Sequence, residues 1–358
     1  MINIAKILLA VFGLIALSSN VFAQDKVYKW KLAMSWPKNL TPLSSPPQKF
    51  AKMVNEMSNG RLIVQVHGPE KHKAALGVFD MTKLGQYEMA HSGSYYWKGK
   101  DINTLFFTSM PFGMTQDEQT AWFYYGGGLN LMQKVYAKHK MYSFPGGNTG
   151  VQMGGWFRKE IKTIDDLKGL KMRIPGFAGE IMAELGVAVI NLPGGELYTA
   201  LERGTIDALE WVGPGMDIKM GFHKVAPYYY TGWHEPASEM QFMINKKAFN
   251  KLPKDLQSIV IVAIKASAAD MYSENYVASA DAWEQIKKEY PNIKVKEFPI
   301  PVLKAMKAVN DKLIVKLEER SPLTKEIIES QRVFLKKSRE WTKISEYTYL
   351  KNMIALEK

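Results

Sequence analysis

Residues 28–36, YKWKLAMSW, carry an apolar side chain at every second position until Pro37 ends the run, the pattern of a half-buried strand. A helical pattern near 47–58 stops at Gly60. Residues 62–67, LIVQVH, form a second strand closed by Gly68-Pro69, and a helix near 78–84 leads to a third strand at 87–91. This strand, helix, strand order predicts a parallel α/β sheet that offers ligands the carboxyl ends of its strands.

After a helix near 116–139, the extended run 142–158 is interrupted by Pro145-Gly146-Gly147, which predicts a strand passing between two domains. A second α/β unit follows, with Thr163-Ile-Asp-Asp166 resembling a capping box, strands at 170–174, 188–192 and 207–211, and helices from Gly179 and over 196–203. Residues 240–245, MQFMIN, predict a strand rejoining the first sheet. Two crossings make an α/β two-lobe clamshell with a cleft between the lobes. The expected lobes are 24–150 with 239–275, and 151–238 with 276–320. Beyond Pro253 the pattern is helical (254–288, 301–320 and 325–353), apart from a short strand at 293–297. The C-terminal helices, 321–358, exceed what two small lobes need. Their Trp341, Tyr347, Tyr349 and Leu350 would pack on the lobes or on a second copy of the chain.

The first 23 residues change the picture, because one early lysine, an apolar run at 7–17 and the Val21-Phe22-Ala23 pattern read as an export signal, too short for a membrane anchor. The whole chain has no cysteine, which excludes disulfides and thiolate metal sites and points to a bacterial periplasm. The formal charge is +12, or +11 without Lys6. Its lysines are interspersed with acids and not with stacking aromatics, so nucleic acid is not an expected partner.

Candidate chemistry concentrates in 145–177, PGGNTGVQMGGWFRKEIKTIDDLKGLKMRIPGF. Gln152 and Arg173 fall on neighbouring apolar strands, where such groups are costly to bury without a partner. At a strand end the planar fork of Arg173 suits a carboxylate, although an internal ion pair would satisfy it too. Glu210-Trp211 closes one strand, and Trp233-His234-Glu235-Pro236 puts another carboxylate in a loop. With Gln152 these two acids form a possible oxygen-ligand cation site or, alternatively, remain solvated. Glu210, Glu235, Arg173 and a bound monocarboxylate sum to −2. A divalent ion would neutralise that, which favours calcium over sodium. His234-Glu235 lacks the second histidine of a helical zinc motif. No phosphate loop and no Gly-x-Ser-x-Gly is present, so no catalytic residue is assigned.

The stretches DDLKGLKMRIPG at 165–176 and ALERGTIDALEW at 200–211 resemble those of the periplasmic solute-binding subunits of tripartite ATP-independent periplasmic (TRAP) transporters. The resemblance spans nearly the whole mature chain. SYYW at 94–97, TSMPFGM at 108–114 and GNTGVQMGGW at 147–156 resemble the branch that binds 2-oxo acids or lactate. It implies that Arg173 holds the substrate carboxylate and that Gln152, Glu210, the Trp211 carbonyl and Glu235 hold a calcium or sodium ion. It also implies that Asn148 and Tyr96 touch the ligand, that Phe177 is a wall, that membrane permease subunits receive the solute, and that the C-terminal helices can pair two copies. The alternatives are a sugar acid or dicarboxylate bound without a cation, and a glycoside hydrolase using Glu210 and Glu235.

Overall fold

The computed structural model describes residues 26–357, so the expected export signal lies outside the described residues. One sheet holds β1 (Tyr28–Met34), β2 (Leu62–His67), β3 (Met89–Gly93), β4 (Met141–Asn148) and a later strand, β10 (Glu239–Asn245), in the order β2-β1-β3-β10-β4. The other holds β5 (Gly155–Phe157), β6 (Lys171–Arg173), β7 (Ala188–Ile190), β8 (Ala208–Leu209), β9 (Tyr228–Tyr230) and β11 (Lys294–Lys296), ordered β11-β9-β5-β8-β6-β7. The fold is a two-lobe α/β clamshell.

Alternation in β1 sets its register, with Leu32 facing Val66 on β2 and Met89 on β3, both strands parallel to it. β3 is buried along its whole length, as expected of a strand covered on both faces. β10 returns antiparallel between β3 and β4. The cleft therefore sees the carboxyl ends of β1, β3 and β4 and the amino end of β10.

Several expected elements differ from those observed. The helix expected over 116–139 is two, Gln116–Tyr125 and Gly128–Ala137, parted where Gly127 adopts φ +90°. The terminal helix is also two, Pro322–Ile344 and Glu346–Leu356. Helix Lys254–Glu289 packs on Ser45–Met57 and β4 in the first lobe and on Pro214–Met220 in the second, running unbroken through the expected boundary at 275. Helix Ile300–Glu318 packs on Gly176–Glu184 of the second lobe. Helix Pro322–Ile344 then returns to the first: Thr324 donates to Asn103 (2.8 Å), Gln331 to the Phe106 carbonyl (2.7 Å), and Arg339 to buried Glu118 (2.9 and 2.8 Å). The chain thus crosses between lobes at β4–β5, at β9–β10 and through its C-terminal helices.

Candidate binding site

The first two crossings run side by side. Thr149 N donates to Ser238 O (3.2 Å), Gln152 N to Glu235 O (2.9 Å) and Gly154 N to Tyr230 O (2.7 Å), so Gln152 lies against Glu235. Gly232 permits this approach: a Cβ there would stand 1.9 Å from the Gln152 carbonyl oxygen, closer than any side chain can come.

Strands β6 and β8 supply the rest. Arg173 pairs with Leu209 in parallel register, and Glu210 N donates to Arg173 O (3.1 Å), which sets both side chains at the carboxyl edge of the sheet. Arg173 is 1 % exposed. Its Nε donates to Leu192 O (3.2 Å) and one terminal amine to Glu210 O (2.7 Å), while the same amine forms an ion pair with Glu210 Oε1. The guanidinium lies 5.2 Å from the centroid of the Trp211 ring. Among the described residues its other amine has only a long 3.4 Å contact to Tyr96 Oη, from the opposite lobe. The internal ion pair weighed for Arg173 exists, yet it occupies one side of the fork and leaves donor capacity on the other.

His234 is a site residue that sequence reasoning missed. Its Nε2 lies 3.0 Å from Glu210 Oε2, so Arg173 and His234 hold one Glu210 oxygen each. Burial works against the charged imidazole, but the Glu210 hydrogen bond and the charges of both glutamates outweigh it and raise the His234 pKa. Only its place beside Glu235 in the sequence hinted at this.

Glu235 is pushed up to about 7, first by burial and then by the charge of Glu210. Its Oε2 has no hydrogen-bond partner among the described residues, and neither has Gln152 Oε1, whose amide nitrogen donates to Thr149 Oγ1 (2.9 Å). Orphaned acceptors in a buried site cost about 1–3 kcal/mol each. Ligating atoms of Glu210, His234 and Glu235 all lie within 4.8 Å of one another. An ion with oxygen ligands at about 2.3–2.6 Å spans that distance. Two carboxylates and an amide oxygen are the hard donors that calcium and sodium prefer, so these residues fit such an ion.

The remaining expected residues fall into place unevenly. Tyr96 and Trp211 flank Arg173, and Phe177 is buried at the start of the helix that follows β6. Asn148 has its polar groups taken by protein: it donates to Gln119 Oε1 (2.9 Å) and Glu239 Oε2 (3.0 Å) and accepts from Gly150 N (2.9 Å) and Ser238 N (3.1 Å). The lobes touch around the site. Lys98 of the first reaches the Gly176 carbonyl (2.9 Å) and Glu180 (2.8 Å) of the second.

Residues 32–321 match the model of the bacterial extracellular solute-binding proteins, family 7 (DctP). The chain belongs to that family, which serves TRAP transporters. Along 333 residues it is 38 % identical to a monocarboxylate 2-oxoacid-binding periplasmic protein of Nostoc sp. (strain PCC 7120), covering 93 % of this chain and 91 % of the relative. A TRAP periplasmic solute-binding protein from Colwellia psychrerythraea, crystallised with calcium and pyruvate, is 58 % identical at a TM-score of 0.90, covering 91 % of this chain and 100 % of that one. Another, from Pseudoalteromonas atlantica T6c with sodium and pyruvate, is 56 % identical, also at 0.90, covering 91 % and 99 %. The match at this identity makes the DctP chain a TRAP solute-binding protein. Among the described residues no helix is long and apolar enough to cross a membrane.

Proposed function

We propose that this DctP-family protein captures a small 2-oxo or 2-hydroxy monocarboxylate, pyruvate- or lactate-like, together with a calcium or sodium ion in the periplasm, and delivers the acid to TRAP membrane permease subunits. The observation that carries the reading is the pair of buried, unpartnered acceptors, Glu235 Oε2 and Gln152 Oε1, beside the underused amine of Arg173. Arg173 clamps the carboxylate, with Tyr96 and Phe177 enclosing it. Gln152, Glu210, the Trp211 carbonyl and Glu235 would hold the ion, which would supply positive charge to the oxygens of the bound acid. Asn148 contacts the solute only by exchanging a protein partner, so its main part is to brace the crossings. Two glutamates, one arginine and one monocarboxylate sum to −2, which calcium would neutralise, whereas a protonated His234 leaves −1, which sodium would neutralise.

Calorimetry tests this directly. After chelation and dialysis into potassium buffer, pyruvate affinity should fall at least tenfold and return on adding calcium or sodium. Equal affinity under all conditions removes the ion, and no heat with any 2-oxo or 2-hydroxy acid removes the solute class. Sugar acids and dicarboxylates need more polar groups than this aromatic site offers, and a thermal-shift panel of organic acids separates the classes. A hydrolase pair is disfavoured because the family is one of solute-binding transport proteins.

The lobes are assigned as 24–150 with 239–275 and 151–238 with 276–320. Exposed Trp341, Ile344, Tyr347 and Tyr349 on the last two helices support a homodimer seam. Light scattering should give twice the chain mass, falling to one chain for the Trp341→Ser, Tyr349→Ser double variant; a monomer from the outset removes the seam.

A further inference from the structure

At the end of the first sheet opposite the cleft lies an open concavity of about 820 Å³. Tyr28 begins β1, Lys140 immediately precedes β4 and Asn245 ends β10, which fixes that position. Lys26, Lys29, Lys83, Lys140, Lys247 and Lys251 line it, and Glu88 is the one acid in its walls. Elsewhere lysines are commonly neutralised, as Lys49 is by Glu274, Lys98 by Glu180 and Lys296 by Glu160. None of these six has a carboxylate within ion-pair distance among the described residues. Glu88 has an oxygen drawn elsewhere, accepting from Lys31 N (2.7 Å). Like charges gathered around a concavity repel one another, and an anion held there relieves the repulsion.

A neutral donor is built in among the charges. Trp30 is 4 % exposed, and its indole N–H has no acceptor among the described residues. Trp97 and Trp211 also carry unpartnered indole N–H groups, but those are sealed from solvent; that of Trp30 is not, and Trp30 lines the concavity. The Asn245 amide in the same wall is spent, donating to Thr82 O (2.9 Å) and accepting from Ala248 N (3.1 Å). The walls thus offer ammonium groups and an indole N–H, the complement of an anion's oxygens.

The kind of cation narrows the kind of anion. No arginine is among the lining residues, so nothing here meets a planar carboxylate fork to fork, whereas compact ammonium groups suit a tetrahedral anion with oxygens on all sides. Six ammonium groups against one carboxylate leave +5, of which a single phosphate, at about −2, offsets less than half.

We propose that this concavity is a second ligand site, binding a molecule that carries at least two phosphate groups, either free in solution or presented by phospholipid headgroups. The site stands apart from the cleft and does not rest on the solute reading. Calorimetry with inorganic pyrophosphate in calcium-free sodium buffer tests the free source, with citrate as a carboxylate of similar charge. Flotation with phosphatidylcholine vesicles, with and without phosphatidylglycerol, tests the lipid source. Pyrophosphate should bind saturably and at least fivefold tighter than citrate. Lys140→Glu with Lys247→Glu should weaken it at least tenfold. Lys159→Glu with Lys304→Glu, an equal charge change at exposed lysines outside the concavity, should leave it within twofold. Trp30→Phe, with the fold checked by circular dichroism, should cost about threefold through loss of the donor. Vesicle binding alone, dependent on phosphatidylglycerol and abolished by the Lys140 and Lys247 changes, assigns the lipid source; pyrophosphate binding alone assigns the free one. Binding to neither, equal loss from both lysine pairs, or displacement of pyrophosphate by pyruvate overturns the site, and citrate binding as tightly as pyrophosphate overturns the phosphate class.

Discussion

Asp217 and Glu235 are both fully buried acids of the second lobe, and burial pushes each up to about 7, so by burial and protonation the two look alike. Their partners separate them. Asp217 accepts from Trp156 Nε1 (3.0 Å), Tyr229 Oη (2.9 Å), Val212 N (3.2 Å) and Gly213 N (3.0 Å), which consumes its acceptor capacity within the fold. Glu235 keeps Oε2 without a partner, within reach of Glu210 and His234. A perturbed acid is a candidate for a functional site when its valences are left over; Asp217 is a structural tie, whereas Glu235 keeps the acceptor that the proposed ion would use.

The largest effect expected at the proposed site comes from its counter-charge. Arg173→Ala should weaken pyruvate binding by about a thousandfold, because a buried carboxylate partner lost without replacement costs about 3–5 kcal/mol. Arg173→Lys should not restore it, since a point charge cannot serve Leu192, Glu210 and a solute together. Calorimetry showing near-native affinity in the alanine variant would end the assignment of Arg173 as the clamp.

Next comes the direct contrast between the two acids. Asp217→Ala orphans four buried donors and should lower stability by about 3 kcal/mol while sparing the affinity of the folded fraction. Glu235→Gln should do the reverse: unchanged or slightly raised thermal stability without solute, and an affinity about 10–100-fold weaker with the response to added ion blunted. Melting curves and calorimetry on both variants decide the matter, and a Glu235→Gln protein that unfolds early would erase the distinction.

Much of this site was legible because its signals were local. Arg173 sits between apolar neighbours and before Pro175-Gly176, so it was readable as a polar group in a strand; Gln152, expected on a strand beside it, lies instead in the crossing between β4 and β5, where the Gly-rich run leaves the sheet. The register that brings Gln152 to Glu235 was not legible, since it depends on Gly232 and on two crossings far apart in sequence. His234 was passed over because the sequence offered it only as half a zinc motif, whereas its partner Glu210 lies 24 residues away. Strand β9 was missed for a different reason: three tyrosines after Pro227 are too few to show alternation. Gly126-Gly-Gly128 did carry the helix break, but a run within an otherwise helical pattern does not say whether the helix ends or bends.

The smallest expected effect isolates the protonation of Asp217. Its folded-state pKa is raised above the unfolded value, so between the two the native state holds a proton that the unfolded chain releases. The stability this acid contributes is therefore full in acid and is lost as pH rises through about 7. Asp217→Asn is neutral throughout and disrupts at least one donor contact, so it should be less stable than the native chain at pH 5. The gap should then shrink by about 1–2 kcal/mol by pH 8, as one proton's linkage over part of that interval allows. Denaturant unfolding at the two pH values, without solute, measures that change in the difference and cancels every other titrating group the two chains share. A gap that stays constant would mean the four donors keep Asp217 ionised throughout. It would then differ from Glu235 in protonation as well as in partners.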